Sequence, residues 1–298
     1  MPQALLDLID DEQITDLCIS ESKTEVDRGK GLEVIDRVLD SESEVAWLAR
    51  ELIELGGRRL DQANPFADVS LPGGLRIHAV LASACSPQTL LSIRLHNPNP
   101  PSLKDLLAQE FLTPPQEHFL RGVISRRESF LIAGSTGSGK TTLLRGLLAE
   151  LNERIIAIED TSELASEKVI SLQSRSANIE RQGEIDLAEL VRQSLRMRPD
   201  RIVVGEVRGR ELTVMLQALN TGHCGATTIH ANSLSSVPER LMAIASAELT
   251  DTQLARLTVA AFDWVFTLEV QAGTRMLNEI GKFQLVENQL RVQKVLVG

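Results

Sequence analysis

One run of residues has the types and spacing to hold phosphate. Gly134, Ser135, Thr136, Gly137, Ser138, Gly139, Lys140 and Thr141 fit G-x-x-x-x-G-K-[ST] at every fixed position. Glycines at these points let the backbone turn tightly, so that successive N–H groups converge on phosphate oxygens. A helix starting at Lys140 adds the positive potential of its N-terminus. Lys140 can reach the β- and γ-phosphates, the Thr141 hydroxyl can ligate Mg²⁺, and Thr142 closes the set of binding positions.

Such a loop serves many reactions, so the acids and imidazoles downstream must narrow the choice. Glu159, Asp160 and Glu163 follow an apolar run, Arg154–Ile158, and stand where a strand would end. In open α/β sheets ligands bind at that carboxyl edge. Carboxylates there can hold Mg²⁺ or polarise an attacking water. A second run, Arg201–Val204, leads through Gly205 to Glu206. The usual aspartate on such a strand is missing, which leaves Glu206 to hold the metal or act as the base, and Gly205 to leave room for nucleotide beside it. His223 and His230, two of five histidines, bracket the run Ala226–Ile229. An imidazole beside the γ-phosphate can sense it and report it across the domain. Nothing resembles the guanine-specifying N-K-x-D, so a GTPase is not indicated.

These groups need a scaffold, and the hydrophobic pattern supplies one. From Ser129 onward short apolar runs alternate with helical stretches: a strand at Ser129–Ala133, a helix at Lys140–Leu151, and strands at Arg154–Ile158 and Ile170–Gln173. A helix at Asp186–Met197, a strand at Arg201–Val204, a helix at Glu211–Leu219 and a strand at Ala226–Ile229 follow. Short, continuously apolar strands belong to a sheet covered on both faces, and the order implies a mostly parallel α/β domain. Trp264–Val270, Phe283–Val286 and Leu290–Val297 read as a terminal meander. Before it all, a helix at Ser41–Leu55 and strand-like runs at Ala67–Leu71, Leu75–Leu81 and Leu90–Leu95 suggest a small α+β domain. Three prolines within residues 96–102 mark the break. The expected division is 1–96, a linker at 97–102, and 103–298.

Composition sets limits. The 298 residues are 43% apolar and 24% charged, as in a soluble globular chain. No apolar run reaches 18 residues and the start is acidic, so neither a membrane span nor a signal peptide is expected. Cys18, Cys85 and Cys224 are scattered and offer no zinc or disulfide pattern. The net charge of −10 argues against nucleic acid as a direct ligand.

Taken together the blocks resemble the secretion or traffic ATPases, the motors of type II and type IV secretion and of type IV and tight-adherence (Tad) pili. The resemblance spans roughly residues 71–241. The stretch from Leu195 to Arg208 looks like that family's atypical Walker B, Ala218–Ser233 like its His box, and Ile158–Glu163 like its Asp box. The wording is closest to the Tad-pilus and type IV secretion branch. The resemblance implies a homo-hexameric ring, cytoplasmic and peripheral at the inner membrane face, with a RecA-like domain that binds ATP and Mg²⁺ and an inner-membrane platform protein as partner. It also implies phosphate-holding arginines in the first domain, for which Arg76 and Arg94 are the candidates. Arg192, Arg196, Arg198, Arg201 and Arg208 crowd the Walker-B region, and Arg208, nearest Glu206, is the candidate finger. Neither the tetracysteine module of type II motors nor the long leading extension of many Tad motors is expected from this sequence.

The expected function is therefore a Mg²⁺-dependent ATPase motor for pilus assembly or for protein or DNA secretion. Lys140, Glu206, Glu159, Glu163, His230, His223 and Arg208 are its candidate catalytic residues, and Thr141, Glu159 and Glu206 its metal residues. The competing readings are a DNA-translocating RecA-like motor, a small-molecule P-loop kinase, and a nucleotide-gated assembly factor with little turnover.

Overall fold

The computed structural model describes residues 3–11, 13–29, 31–71, 74–83, 85–95, 100–175, 183–271 and 273–297. Pro72 and Gly73, before Arg76, and His96 with residues 97–99 of the expected linker lie outside them. The chain divides into two compact units, Met1–Pro98 and Asn99–Gly298.

The first unit runs α1 (Gln3–Ile9), β1 (Asp16–Ile19), β2 (Thr24–Asp27), β3 (Leu32–Ile35), α2 (Glu42–Leu55), β4 (Phe66–Leu71), β5 (Leu75–Val80) and β6 (Leu90–Leu95). Its six strands form one antiparallel sheet in the order β3-β2-β1-β6-β5-β4. Helix α2 starts where Ser41 accepts a hydrogen bond from the Glu44 N–H at 3.3 Å, with Glu42 and Glu44 favourably placed in its first turn. Its buried stripe, Val45, Leu48, Ala49, Leu52 and Ile53, packs with Leu17, Val69, Ile77, Leu91 and Ile93 from the sheet. Period-two alternation turns every second residue to the opposite, more exposed sheet face. On that face Arg76 of β5 and Arg94 of β6 are direct cross-strand partners, and Arg94 Nε is 2.9 Å from Asp16 Oδ1.

The second unit runs α3 (Leu103–Ala108), α4 (Pro114–Ser125), β7 (Phe130–Gly134), α5 (Lys140–Ala149), β8 (Ile155–Glu159), β9 (Val169–Gln173), α6 (Leu187–Ser194), β10 (Arg201–Val204), α7 (Glu211–Leu219), β11 (Cys224–Ile229), α8 (Val237–Ala245), α9 (Asp251–Ala261), β12 (Trp264–Gln271), β13 (Thr274–Val286) and β14 (Gln289–Val295). Ser102, the last residue of the expected linker, caps α3 in a reciprocal box with Asp105. The eight-stranded sheet has the order β14-β13-β12-β7-β11-β10-β8-β9. Strands β12, β7, β11, β10, β8 and β9 run parallel, while β13 and β14 return antiparallel.

Alternation along the central strands builds a core on each face. Leu131 and Ala133 of β7, Ile156 and Ile158 of β8, and Ile202 and Val204 of β10 point into the layer that holds α6 to α9. Phe130, Ile132, Ile155, Ala157 and Val203 point into the layer with α3, α4 and α5. Burial on both sides is why these strands read as unbroken apolar runs. Among the described residues no helix is long and apolar enough to cross a membrane.

Candidate functional site

Strand β7 delivers the chain to Gly134, and α5 resumes at Lys140. Gly137 (φ +75°) and Gly139 (φ +95°) occupy the left-handed region, which a side chain resists. Ser135, Thr136 and Gly137 are exposed, whereas Ser138 is buried with its hydroxyl unpartnered. A Cβ on Gly134 would lie 2.4 Å from that hydroxyl, so Gly134 is required by its own loop. No side chain caps α5, which leaves the first N–H groups of the helix, around half-buried Thr141 and Thr142, open to an anion.

Lys140 is buried, with 8% exposure, and its ammonium folds back onto the Gly134 carbonyl (3.0 Å) and the Ser135 carbonyl (2.9 Å). It also lies 3.3 Å from His230 Nδ1. Burial lowers the Lys140 pKa, with the Glu206 charge opposing. His230 follows the last residue of β11, and its Nε2 is 2.8 Å from Glu206 Oε1. That contact has ion-pair distance without hydrogen-bond geometry, so Oε1 is buried with no donor of its own. Burial first, and the Lys140 charge second, hold the His230 pKa below its ordinary value despite Glu206. The imidazole is then neutral at pH 7, Nδ1 accepting from Lys140 and Nε2 carrying the proton.

Glu206 stands two residues past β10, where the ladder continues on both sides. The Gly205 N–H donates to the Ile158 carbonyl at 2.9 Å, and the Val207 N–H to the Thr228 carbonyl at 3.0 Å. This fixes the glutamate at the carboxyl edge between β8 and β11. Its Oε2 accepts from Arg208 Nη2 at 2.6 Å, and the same bond raises the arginine's pKa. The backbone N–H groups of Arg208 and Gly209 both donate to Glu211 Oε1 at the start of α7. Glu211 thus shapes the loop that carries Glu206 and Arg208. Sequence reasoning passes over it because a glutamate at a helix start is commonplace.

Glu159 occupies the end of β8 and is 4% exposed. Its carboxylate faces inward, accepting from the Glu163 N–H (3.0 Å), the Leu164 N–H (3.1 Å) and the Ser171 hydroxyl (3.3 Å). Burial raises its pKa to about 7, against the pull of those backbone donors. The space beside Gly205 is filled by this side chain. A Cβ there would be 3.0 Å from Glu159 Cγ, so the glycine makes room for a glutamate and not, as the sequence suggested, for nucleotide. Glu163, half-buried, adds negative potential at Lys140, Arg145 and Arg208.

Other candidates lie elsewhere. His223 precedes β11, with Nδ1 3.2 Å from both Thr221 Oγ1 and the Ala218 carbonyl. Six residues of strand, roughly 20 Å, separate it from His230, so the chain does not bring the two histidines together. Arg201 is fully buried at the opposite edge of the sheet and bonded to Glu153 Oε2 at 3.0 Å, a structural pairing away from Glu206. Arg192 pairs with Glu189 on the surface of α6, and Arg196, just past the helix, bonds Gln193. Arg76 and Arg94 belong to the first unit.

The family model for "Type II/IV secretion system protein" matches residues 34–268. The chain belongs to that family. A putative conjugal transfer protein of Mycobacterium tuberculosis is 41% identical over 285 residues, covering 91% of this chain and 80% of that protein. The type IV secretion system protein PtlH of Bordetella pertussis is 33% identical, covering 70% of this chain and 71% of its own length. Among solved structures, the pilus retraction motor PilT with bound ADP superposes with a TM-score of 0.65 at 18% identity, covering 99% of this chain and 83% of that one. At that identity the likeness to PilT is one of fold. The matched residues 34–268 take in both the phosphate loop and the Lys140–His230–Glu206 cluster described above.

Proposed function

We propose that this chain is a Mg²⁺-dependent ATPase whose RecA-like second unit drives pilus assembly, or protein or DNA transfer, from a homo-hexameric ring on a membrane platform. The observation that carries the reading is the convergence of Lys140, His230, Glu206 and Arg208 on one end of the phosphate loop. Family membership and relatives named for conjugal transfer and type IV secretion support the wider setting.

The residues divide the work as follows. Backbone N–H groups from Ser135 to Thr142 hold the polyphosphate, and Lys140 exchanges its carbonyl partners for phosphate oxygens. Thr141 and the donor-free Oε1 of Glu206 are suited to Mg²⁺, whether directly or through water. Glu159 is less suited, because its oxygens already serve Glu163, Leu164 and Ser171. Among the described residues no three acidic, histidine or cysteine side chains converge as a cage, which fits an ion shared with substrate phosphates. When bound, the ion supplies charge neutralisation on the β- and γ-phosphates.

Glu206 orients the attacking water and takes its proton, with Arg208 fixing the carboxylate through its bond to Oε2. His230 bridges Lys140 and Glu206, so displacing Lys140 from Nδ1 changes the imidazole's partners. That exchange is the γ-phosphate signal. Arg76 and Arg94, side by side on their sheet, form an anion-binding pair, since neighbouring like charges favour an anion between them.

The test is phosphate release from Mg·ATP by the purified chain and by Lys140→Ala, with the mass in solution measured with and without a non-hydrolysable ATP analogue. Turnover that Lys140→Ala lowers about 100-fold or more, as loss of a preorganised charge contact does, supports the site. A hexamer, or a nucleotide-driven shift toward one, supports the ring. Unimpaired Lys140→Ala would sink the site assignment, and a strict monomer in both conditions would sink the ring.

A further inference from the structure

Resting on the nucleotide reading above, we infer that Arg275 binds the nucleoside half of the nucleotide, its guanidinium plane stacking on the purine base. Arg275 is the second residue of β13, opposite Val270 of β12. Strand β12 pairs with β7 as far as Leu268 opposite Gly134 and then continues past the phosphate loop. The hairpin therefore projects beyond the carboxyl edge and carries Arg275 to the loop's flank. A Cβ on Gly139, the residue that opens α5, would be 3.6 Å from Arg275 Cδ and 2.8 Å from Phe111 Cε2. Phe111 is 4% exposed, and its carbonyl accepts from the Leu277 N–H at 2.9 Å, which ties this part of β13 to the aromatic wall beside the loop.

Strand order sets the direction in which a nucleotide must lie. The groups suited to the terminal phosphate, His230, Glu206 and Glu163, follow β11, β10 and β8 in turn, all to one side of β7. Arg275 sits on the other side, past β12. A polyphosphate threaded through the loop with its terminal group at Lys140 and Glu206 leads its nucleoside toward β12 and β13. Arg275 is exposed there and makes no hydrogen bond or ion pair among the described residues, so its planar face is open to a ring. Arginine stacks on aromatic planes where lysine, a hydrated point charge, does not.

Calorimetric titration of the full chain with Mg·ADP and with Mg·tripolyphosphate separates base contact from phosphate contact. For Arg275→Ala, ADP affinity should fall about tenfold while tripolyphosphate affinity stays within about twofold. Arg275→Lys should lose most of the same ADP affinity. Truncating Arg275 leaves no partner behind among the described residues, and an unchanged urea transition followed at Trp264 would show that the variant is folded. Equal loss of both ligands, rescue by lysine, or wild-type ADP affinity in Arg275→Ala would each overturn the inference. A wild-type chain that binds neither ligand would instead overturn the nucleotide reading beneath it.

Discussion

Replacing Glu159 by glutamine should stabilise the second unit at neutral pH and leave it unchanged in acid. In the folded chain the Glu159 pKa is raised from 4.5 to about 7, chiefly by burial. Between those values the folded state keeps a proton that the unfolded state has released. Stability therefore falls as pH rises through this window, and is level below about 4.5 and above about 7. At about 1.36 kcal/mol for each pH unit between the two values, the loss across the window is about 3 kcal/mol. Glutamine keeps the bonds of the protonated acid: its oxygen accepts from the Glu163 and Leu164 N–H groups, and its amide donates to Ser171. It carries no proton to lose. The two proteins should thus match near pH 4.5, and the variant should be more stable by about 3 kcal/mol at pH 8. With a urea slope of roughly 2 kcal/mol/M, that moves the midpoint by about 1.5 M. Fluorescence of buried Trp264 reports on the right unit once exposed Trp47, on α2 of the other unit, is replaced by phenylalanine. A difference between the two proteins that stays constant from pH 5 to pH 8 would refute the buried titration.

Gly205→Ala should cost about 1–3 kcal/mol by overpacking Glu159, read as a drop of several degrees in melting temperature, and should lower turnover by shifting Glu206. Glu206→Gln should still bind ATP by calorimetry yet hydrolyse it about 10²–10⁴-fold more slowly, the range for loss of a general base. Glu211→Ala should leave the Arg208 and Gly209 N–H groups unpaired at a cost of about 1–3 kcal/mol. It should also reduce turnover with little effect on ADP affinity, since it touches the loop behind Glu206 and not the phosphate loop.

Elements sharply bounded in the sequence were the most legible. The runs Arg201–Val204 and Leu90–Leu95 appear as strands with the expected bounds, and Glu211–Leu219 as a helix, because turn residues or a polar stretch closed each of them. Less legible were β1 to β3, four residues each, too short to show alternation above the noise of their charged neighbours. Strand β13 extends nine residues earlier than the apolar run at Phe283 implied, since the core residues of its first half, Leu277 and Ile280, stand apart among exposed polar ones. At the site, Lys140, Glu206 and His230 could be picked out by spacing after apolar runs. Their mutual contacts could not, because proximity there comes from strand order: β11 lies beside β7 although some ninety residues separate them. The inward turn of Glu159 was invisible for the same reason, its partner Ser171 lying on a strand that only the sheet brings alongside.

The placing of β7 between β11 and β12 has a consequence for the order of assembly during synthesis. The first unit is complete in sequence by Leu95 and can fold as soon as it emerges. The strand that carries the phosphate loop cannot, because its two neighbours begin at Cys224 and Trp264. Bringing such distant segments together is slow, and until it happens an apolar strand stays unpaired. The phosphate loop is thereby shaped only once β12 has been made. A chain ending at Ala261 should show a folded first unit by protease resistance and no retention on immobilised ADP. Retention equal to that of the full chain would show that β11 alone suffices to shape the loop.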